Sequence, residues 1–67
     1  MGALGNRAAF DRRVREFRKF GKKKPEFREF VDRNIEDMLE DVGRQPGNVE
    51  HLAYFNGWMT GILDALD

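Results

Sequence analysis

Apolar residues recur with a helical period in three successive stretches of this chain. In the first, Phe10, Val14, Phe17 and Phe20 are spaced at four, three and three, making one stripe on a segment otherwise covered by Arg and Lys. Asn6 is a residue type that caps helix N-termini and Gly21 one that ends helices, so the pattern predicts a helix over about 7–20. Lys22, Lys23 and Lys24 then make a connector closed by Pro25, which disfavours an α conformation at Lys24 and suits a first helical turn. The second stretch carries Phe27, Phe30, Val31, Ile35, Met38, Leu39 and Val42 at threes and fours, predicting a helix over about 25–42 with Gly43 as its stop. Glu26 and Glu29 occupy its first turn, where negative charge favours the helix dipole. Glu29, Asp32, Glu36 and Glu40 form an acidic ridge on its polar side, and Glu36 and Asp37 recur one turn on as Glu40 and Asp41.

Gly43-Arg44-Gln45-Pro46-Gly47 reads as a turn, after which Asn48 caps a third helix over about 49–66. Asn56-Gly57 is a strong signal for a tight β-hairpin, but its flanks lack period-two alternation. Leu52, Phe55, Met59, Ile62, Leu63 and Leu66 instead define a helical face. Ala53, Gly57, Gly61 and Ala65 recur every four residues as a ridge of small side chains, bordered by Tyr54 and Trp58. Glycine in a helix costs up to ~1 kcal/mol relative to alanine, so two of them imply a compensating close contact. The ridge is therefore expected to pack on another helix of the same chain or on a second subunit, and Leu at Gly57 or Gly61 is expected to disrupt packing far more than Ala at Gly47. The fold expected is all-α: an antiparallel hairpin of helices 25–42 and 49–66 with the basic helix 7–20 packed across it. It forms one small domain over 1–67, with residues 1–5 lacking fixed structure.

Length limits what such a fold achieves. With 67 residues, 40% of them apolar, the chain has room for one small core. A chain of this size buries only ~60% of the surface its unfolded form exposes, and one such core rarely supplies more than ~3 to 5 kcal/mol. There is no Cys to add a disulfide or a thiolate metal site. The support expected is association, as a homo-oligomer or on a larger protein. The longest uncharged run, His51 to Leu63, is too short and too polar for a membrane span, and no hydrophobic signal region precedes the first helix. Met1-Gly2 lacks the Ser or Thr at position 6 that myristoylation requires. These absences predict a cytoplasmic protein without a membrane partner.

Charge changes the picture more than composition does. The 12 Lys and Arg balance 12 Asp and Glu, yet residues 1–24 hold nine cations against Asp11 and Glu16, a balance of +7, and residues 25–67 hold three against ten acids, a balance of −7. Either the basic segment folds back on the acidic one, or it remains available to an outside anion. Arg12, Arg13, Arg15, Arg18, Lys19, Lys22, Lys23 and Lys24 are the candidates for such contact, and a nucleic acid bound there would be released steeply by salt. No base-reading motif accompanies them.

Enzymatic chemistry finds few parts. There is one His, no Ser, no Cys and one Thr, so a nucleophile with its base and orienting acid cannot be assembled from the usual residues. His51, beside Glu50, has no second His at ligand spacing, and the acidic ridge lacks the alternation of a calcium loop. Neither Gly43 to Gly47 nor Gly57 with Gly61 matches a phosphate-cradling loop. No catalytic residue, metal, cofactor or small-molecule substrate is expected.

The segments Phe27-Arg28-Glu29-Phe30-Val31, Glu36-Asp37-Met38-Leu39-Glu40, Tyr54-Phe55 with Gly57, and Gly61-Ile62-Leu63 with Ala65-Leu66 together resemble the short helical accessory proteins of tailed bacteriophages. That resemblance implies a non-enzymatic protein that binds a virion or host protein, in the host cytoplasm or the virion. The expectation is thus a small helical interaction or assembly module, the alternative being a nucleic-acid-binding protein that uses its basic first helix.

Overall fold

The computed structural model of the chain describes residues 3–66, and side chains from residue 5 onward. It is all-α. Helix α1 spans Ala3–Lys23, a 3-10 turn Pro25–Phe27 leads into α2 at Arg28–Arg44, and α3 spans Val49–Leu66. The third helix has the expected limits, and the Asn56-Gly57 pair lies inside it, so the hairpin alternative is excluded. Its start is held by Asn48, whose side-chain oxygen accepts a hydrogen bond from the His51 backbone N–H at 3.2 Å.

The ends of the first two helices differ from expectation for one shared reason. Gly21 and Gly43 stop neither helix, and no described glycine has a positive φ. Each helix ends instead at the residue before a proline: Lys24 at φ −122°, ψ 86° before Pro25, and Gln45 at φ −135°, ψ 65° before Pro46. The proline ring excludes the α conformation from that residue, whereas glycine merely permits a left-handed one. At the other end, α1 begins at Ala3, so Asn6 lies within the helix and is no cap, and residues 3–5 belong to an element. Met1, Gly2 and Asp67 lie outside the described residues.

Helix α1 is the hub, where the sequence pattern predicts a hairpin of α2 and α3. Both later helices pack mainly on α1 and share little surface with each other. The core is one cluster of Phe10, Val14, Phe17 and Phe20 from α1, Val31, Ile35, Met38 and Val42 from α2, and Leu52 and Met59 from α3. The cause lies in the aromatic side chains. On the α3 side, Phe10 meets Phe55 with ring centroids 6.4 Å apart, and Phe17 receives Trp58 edge-on at 5.8 Å. Such tilted and edge-to-face pairs add to the apolar area they bury. Phe20 stacks on Phe27 at 5.7 Å and secures the α1–α2 connection.

On the α2 side, α1 is brought close by Gly21. A Cβ placed on this buried glycine would stand 3.1 Å from both Cβ and Cγ1 of Val31. This is the close approach that the four-residue spacing predicts at Gly57 and Gly61. Those two glycines have nothing within 4 Å of an added Cβ, and all four residues of the ridge, Ala53 and Ala65 included, are exposed. The small-residue ridge therefore does not pack within the chain; of the two contacts expected for it, the one with another helix of the same chain is corrected, and the one with a second subunit is a separate matter. The core needs only the opposite edge of α3, where Leu52 and Met59 are buried.

The expected effect of substitution reverses with it. Gly57→Ala and Gly61→Ala meet no neighbour and remove the backbone freedom of glycine, so each should stabilise the fold by roughly 0.5 to 1 kcal/mol. Thermal unfolding followed by circular dichroism checks this, and a lowered midpoint would show that the flank of α3 is in contact after all.

Candidate interaction surfaces

Three outward surfaces remain once the core is assembled. The first is the solvent side of α1. Arg12, Arg15, Lys19 and Lys22 follow one another at three, four and three residues and are all exposed, with Arg18 and Lys23 flanking them. At 1.5 Å rise per residue, the row from Arg12 to Lys22 extends about 15 Å along the helix.

Among the described residues no Arg or Lys pairs within 4.0 Å with a carboxylate of another helix, although Arg18 shares a cleft with Asp32 and Glu36 of α2, and Lys19 and Lys23 share one with Asp64 of α3. Among the described residues, the Arg–carboxylate pairs lie within single helices: Arg7 with Asp11 and Arg13 with Glu16 in α1, and Arg28 with Asp32, Arg33 with Glu29, and Arg44 with Glu40 and Asp41 in α2. These are exposed pairs, worth little each. Arg12, Arg15, Arg18, Lys19, Lys22, Lys23 and Lys24 have no carboxylate within 4.0 Å among the described residues. Arg13 departs from this group. Its Nη1 donates to Glu16 at 2.8 Å and its Nε to the Asn56 side-chain oxygen on α3 at 3.2 Å, so it joins two helices and is not free for an outside anion.

The second surface is a groove between α2 and α3, left open because these helices share so little contact. It encloses ≈ 410 Å³. Asp37, Glu40 and Asp41 line its α2 side, and Tyr54, Phe55 and Trp58 its α3 side. Tyr54 is 68% exposed, while Trp58 is anchored by Phe17 below and by Phe30 at 6.1 Å. Two of the residues singled out in the sequence, Tyr54 and Trp58, thus belong to this groove and not to the flank of a close helix contact. The carboxylates opposite them are visible in the sequence only as part of an acidic ridge, because no spacing reports which turn of α2 faces α3.

The third surface is the ridge of Ala53, Gly57, Gly61 and Ala65 on the solvent side of α3. His51 lies at the junction of α2 and α3, its Nδ1 buried without a hydrogen bond, 3.9 Å from an Asp41 carboxylate oxygen and against the Phe55 ring at 5.9 Å. Among the described residues no group of three or more His, Asp or Glu side chains is arranged to hold a metal ion, and no helix is long and apolar enough to cross a membrane. No family model, curated protein or solved structure matches the chain.

Proposed function

We propose that this protein is a non-enzymatic helical interaction module whose association is driven by oppositely charged outer faces, the partner being a second copy of itself or a larger protein. One observation carries the reading: Arg12, Arg15, Lys19 and Lys22 of α1 and Asp37 and Glu40 of α2 are exposed, and among the described residues no cation of α1 comes within 4.0 Å of a carboxylate of α2, although Arg18 shares a cleft with Asp32 and Glu36. A fold whose charges were arranged for its own stability would bring them together across the α1–α2 contact. Facing outward, they set up fields of both signs on one small molecule with zero net charge, which favours association over mutual repulsion. The resemblance of helices two and three to phage accessory proteins fits the same class of role, a virion or host protein being the partner in that case.

Sedimentation velocity at low and at high salt tests this. Dimers or larger species are expected at low ionic strength and monomers when the charges are screened over a Debye length of ~3 Å at 1 M. A protein that is monomeric under both conditions overturns the proposal.

A second reading is favoured by the α1 row itself. Exposed cations spaced along one helix face suit the phosphates of a nucleic acid, whose binding would release counterions and fall steeply with salt. An electrophoretic shift of duplex DNA and of RNA at two salt concentrations separates the readings: retention at low salt supports nucleic-acid binding, and its absence there removes this alternative.

A further inference from the structure

We propose that the groove between α2 and α3 is the docking site for the basic face of α1 from a second copy of the chain, with Arg15 and Lys19 of one molecule reaching Asp37 and Glu40 of the other beside Tyr54 and Trp58. This rests on the reading of the protein as an association module and assigns the surfaces that it uses.

The chemistry of the groove selects a cation. A wall of carboxylates facing a wall of aromatic rings suits a guanidinium or ammonium group, which gains from the negative charge and from the ring faces together. Within the groove Arg44 approaches Glu40 at 3.2 Å and Asp41 at 4.0 Å, so one guanidinium serves two of the three carboxylates. Asp37 has no cation within 4.0 Å among the described residues. The groove is therefore left negative, and at ≈ 410 Å³ it admits long side chains from a helix lying across its mouth and not the helix itself.

The complementary surface is on the same chain and cannot reach the groove intramolecularly. Among the described residues none of α1 lines it, and Arg12, Arg15, Lys19 and Lys22 are exposed on α1, with only Lys19 reaching the α1–α3 cleft beside Leu63 and Asp64. The spacings agree: Arg15 and Lys19 are about 6 Å apart along their helix, and Asp37 and Glu40 about 4.5 Å along theirs, within the reach of flexible basic side chains. Aromatic anchoring comes from Tyr54, whose exposure nothing in the chain accounts for, and from Trp58, which the core holds in place.

Charge reversal in the full-length protein tests the assignment. Asp37→Lys with Glu40→Lys disables the groove, and Arg15→Glu with Lys19→Glu disables α1; all four positions are exposed, and circular dichroism verifies that both variants fold. Each variant alone is expected to sediment as a monomer at low salt where the parent protein associates. Mixed in equal amounts they should form a 1:1 complex, because one intact groove then meets one intact α1, and the emission of Trp58, the single tryptophan, should shift on mixing. Adding Tyr54→Ala to the partner with the intact groove should weaken that complex at least tenfold. If the groove variant associates as the parent does, the docking proposal fails while association by another surface stands. If the parent is monomeric at low salt, both fail. If the mixed complex forms but is indifferent to Tyr54→Ala, attraction between opposite net charges explains it and the groove assignment is overturned. The assignment falls equally if the α1 variant still associates alone, since a different occupant then fills the groove.

Discussion

Phe17→Ala should unfold the protein. Phe17 is fully buried in the C-terminal half of α1, stacked against Phe20 at 6.3 Å and met edge-on by Trp58 at 5.8 Å, so its removal loosens α1 from α3. Truncating a buried phenylalanine to alanine costs about 3 to 5 kcal/mol, from lost transfer energy and the cavity left behind. A core of this size supplies about the same amount in total. Loss of the cooperative thermal transition by circular dichroism, with Trp58 emission moved to that of a solvent-exposed indole, is the expected result. A variant that melts within a few degrees of the parent would show that the α1–α3 aromatic contacts are dispensable.

Gly21→Leu should be more damaging than the same change at Gly43, Gly47, Gly57 or Gly61. Even the first added carbon would stand 3.1 Å from two atoms of Val31, which is itself fully buried. Forcing a larger side chain into a packed site costs about 1 to 3 kcal/mol, here by prying α2 from α1. Chemical denaturation measures the loss, and Val31→Ala in the same background should recover part of it by making space. If Gly21→Leu is no worse than Gly57→Leu, the close approach of α1 and α2 is not a tight one. Gly21→Ala is the more delicate case: the gain in helix propensity opposes a contact tighter than side chains ordinarily make, and the sign of its effect reports how far Val31 can yield.

The two kinds of glycine site explain what can and cannot be read from the sequence. The spacing of Phe10, Val14, Phe17 and Phe20 places one face of α1 inward, and the core contains those four residues. The same rhythm places Val31, Ile35, Met38 and Val42 of α2 inward, while Phe30 and Leu39 of the expected face are exposed, and it matches the extent of α3. Such periodicity says which side of a helix is apolar, but it is silent on which neighbour covers it. Gly21 has the look of a helix stop because it precedes a charged connector, and Gly57 and Gly61 have the look of a contact because they repeat. Only packing distinguishes them, since the first faces Val31 and the other two face nothing. The groove is illegible in the sequence for a related reason. Asp37, Glu40 and Asp41 belong to α2, Tyr54 and Trp58 to α3, and their juxtaposition depends on both helices preferring α1 to each other.

That preference also governs the order in which the protein can be made. Phe10 and Phe17 are synthesised early and wait for Phe55 and Trp58, which are encoded about forty residues later. At about 5 to 20 residues per second, the interval from the end of α1 to the end of α3 is roughly 2 to 9 s. Until α3 is added, the two phenylalanine rings lack the aromatic partners that cover them in the finished fold, and one side of the first helix's apolar stripe stays open to water.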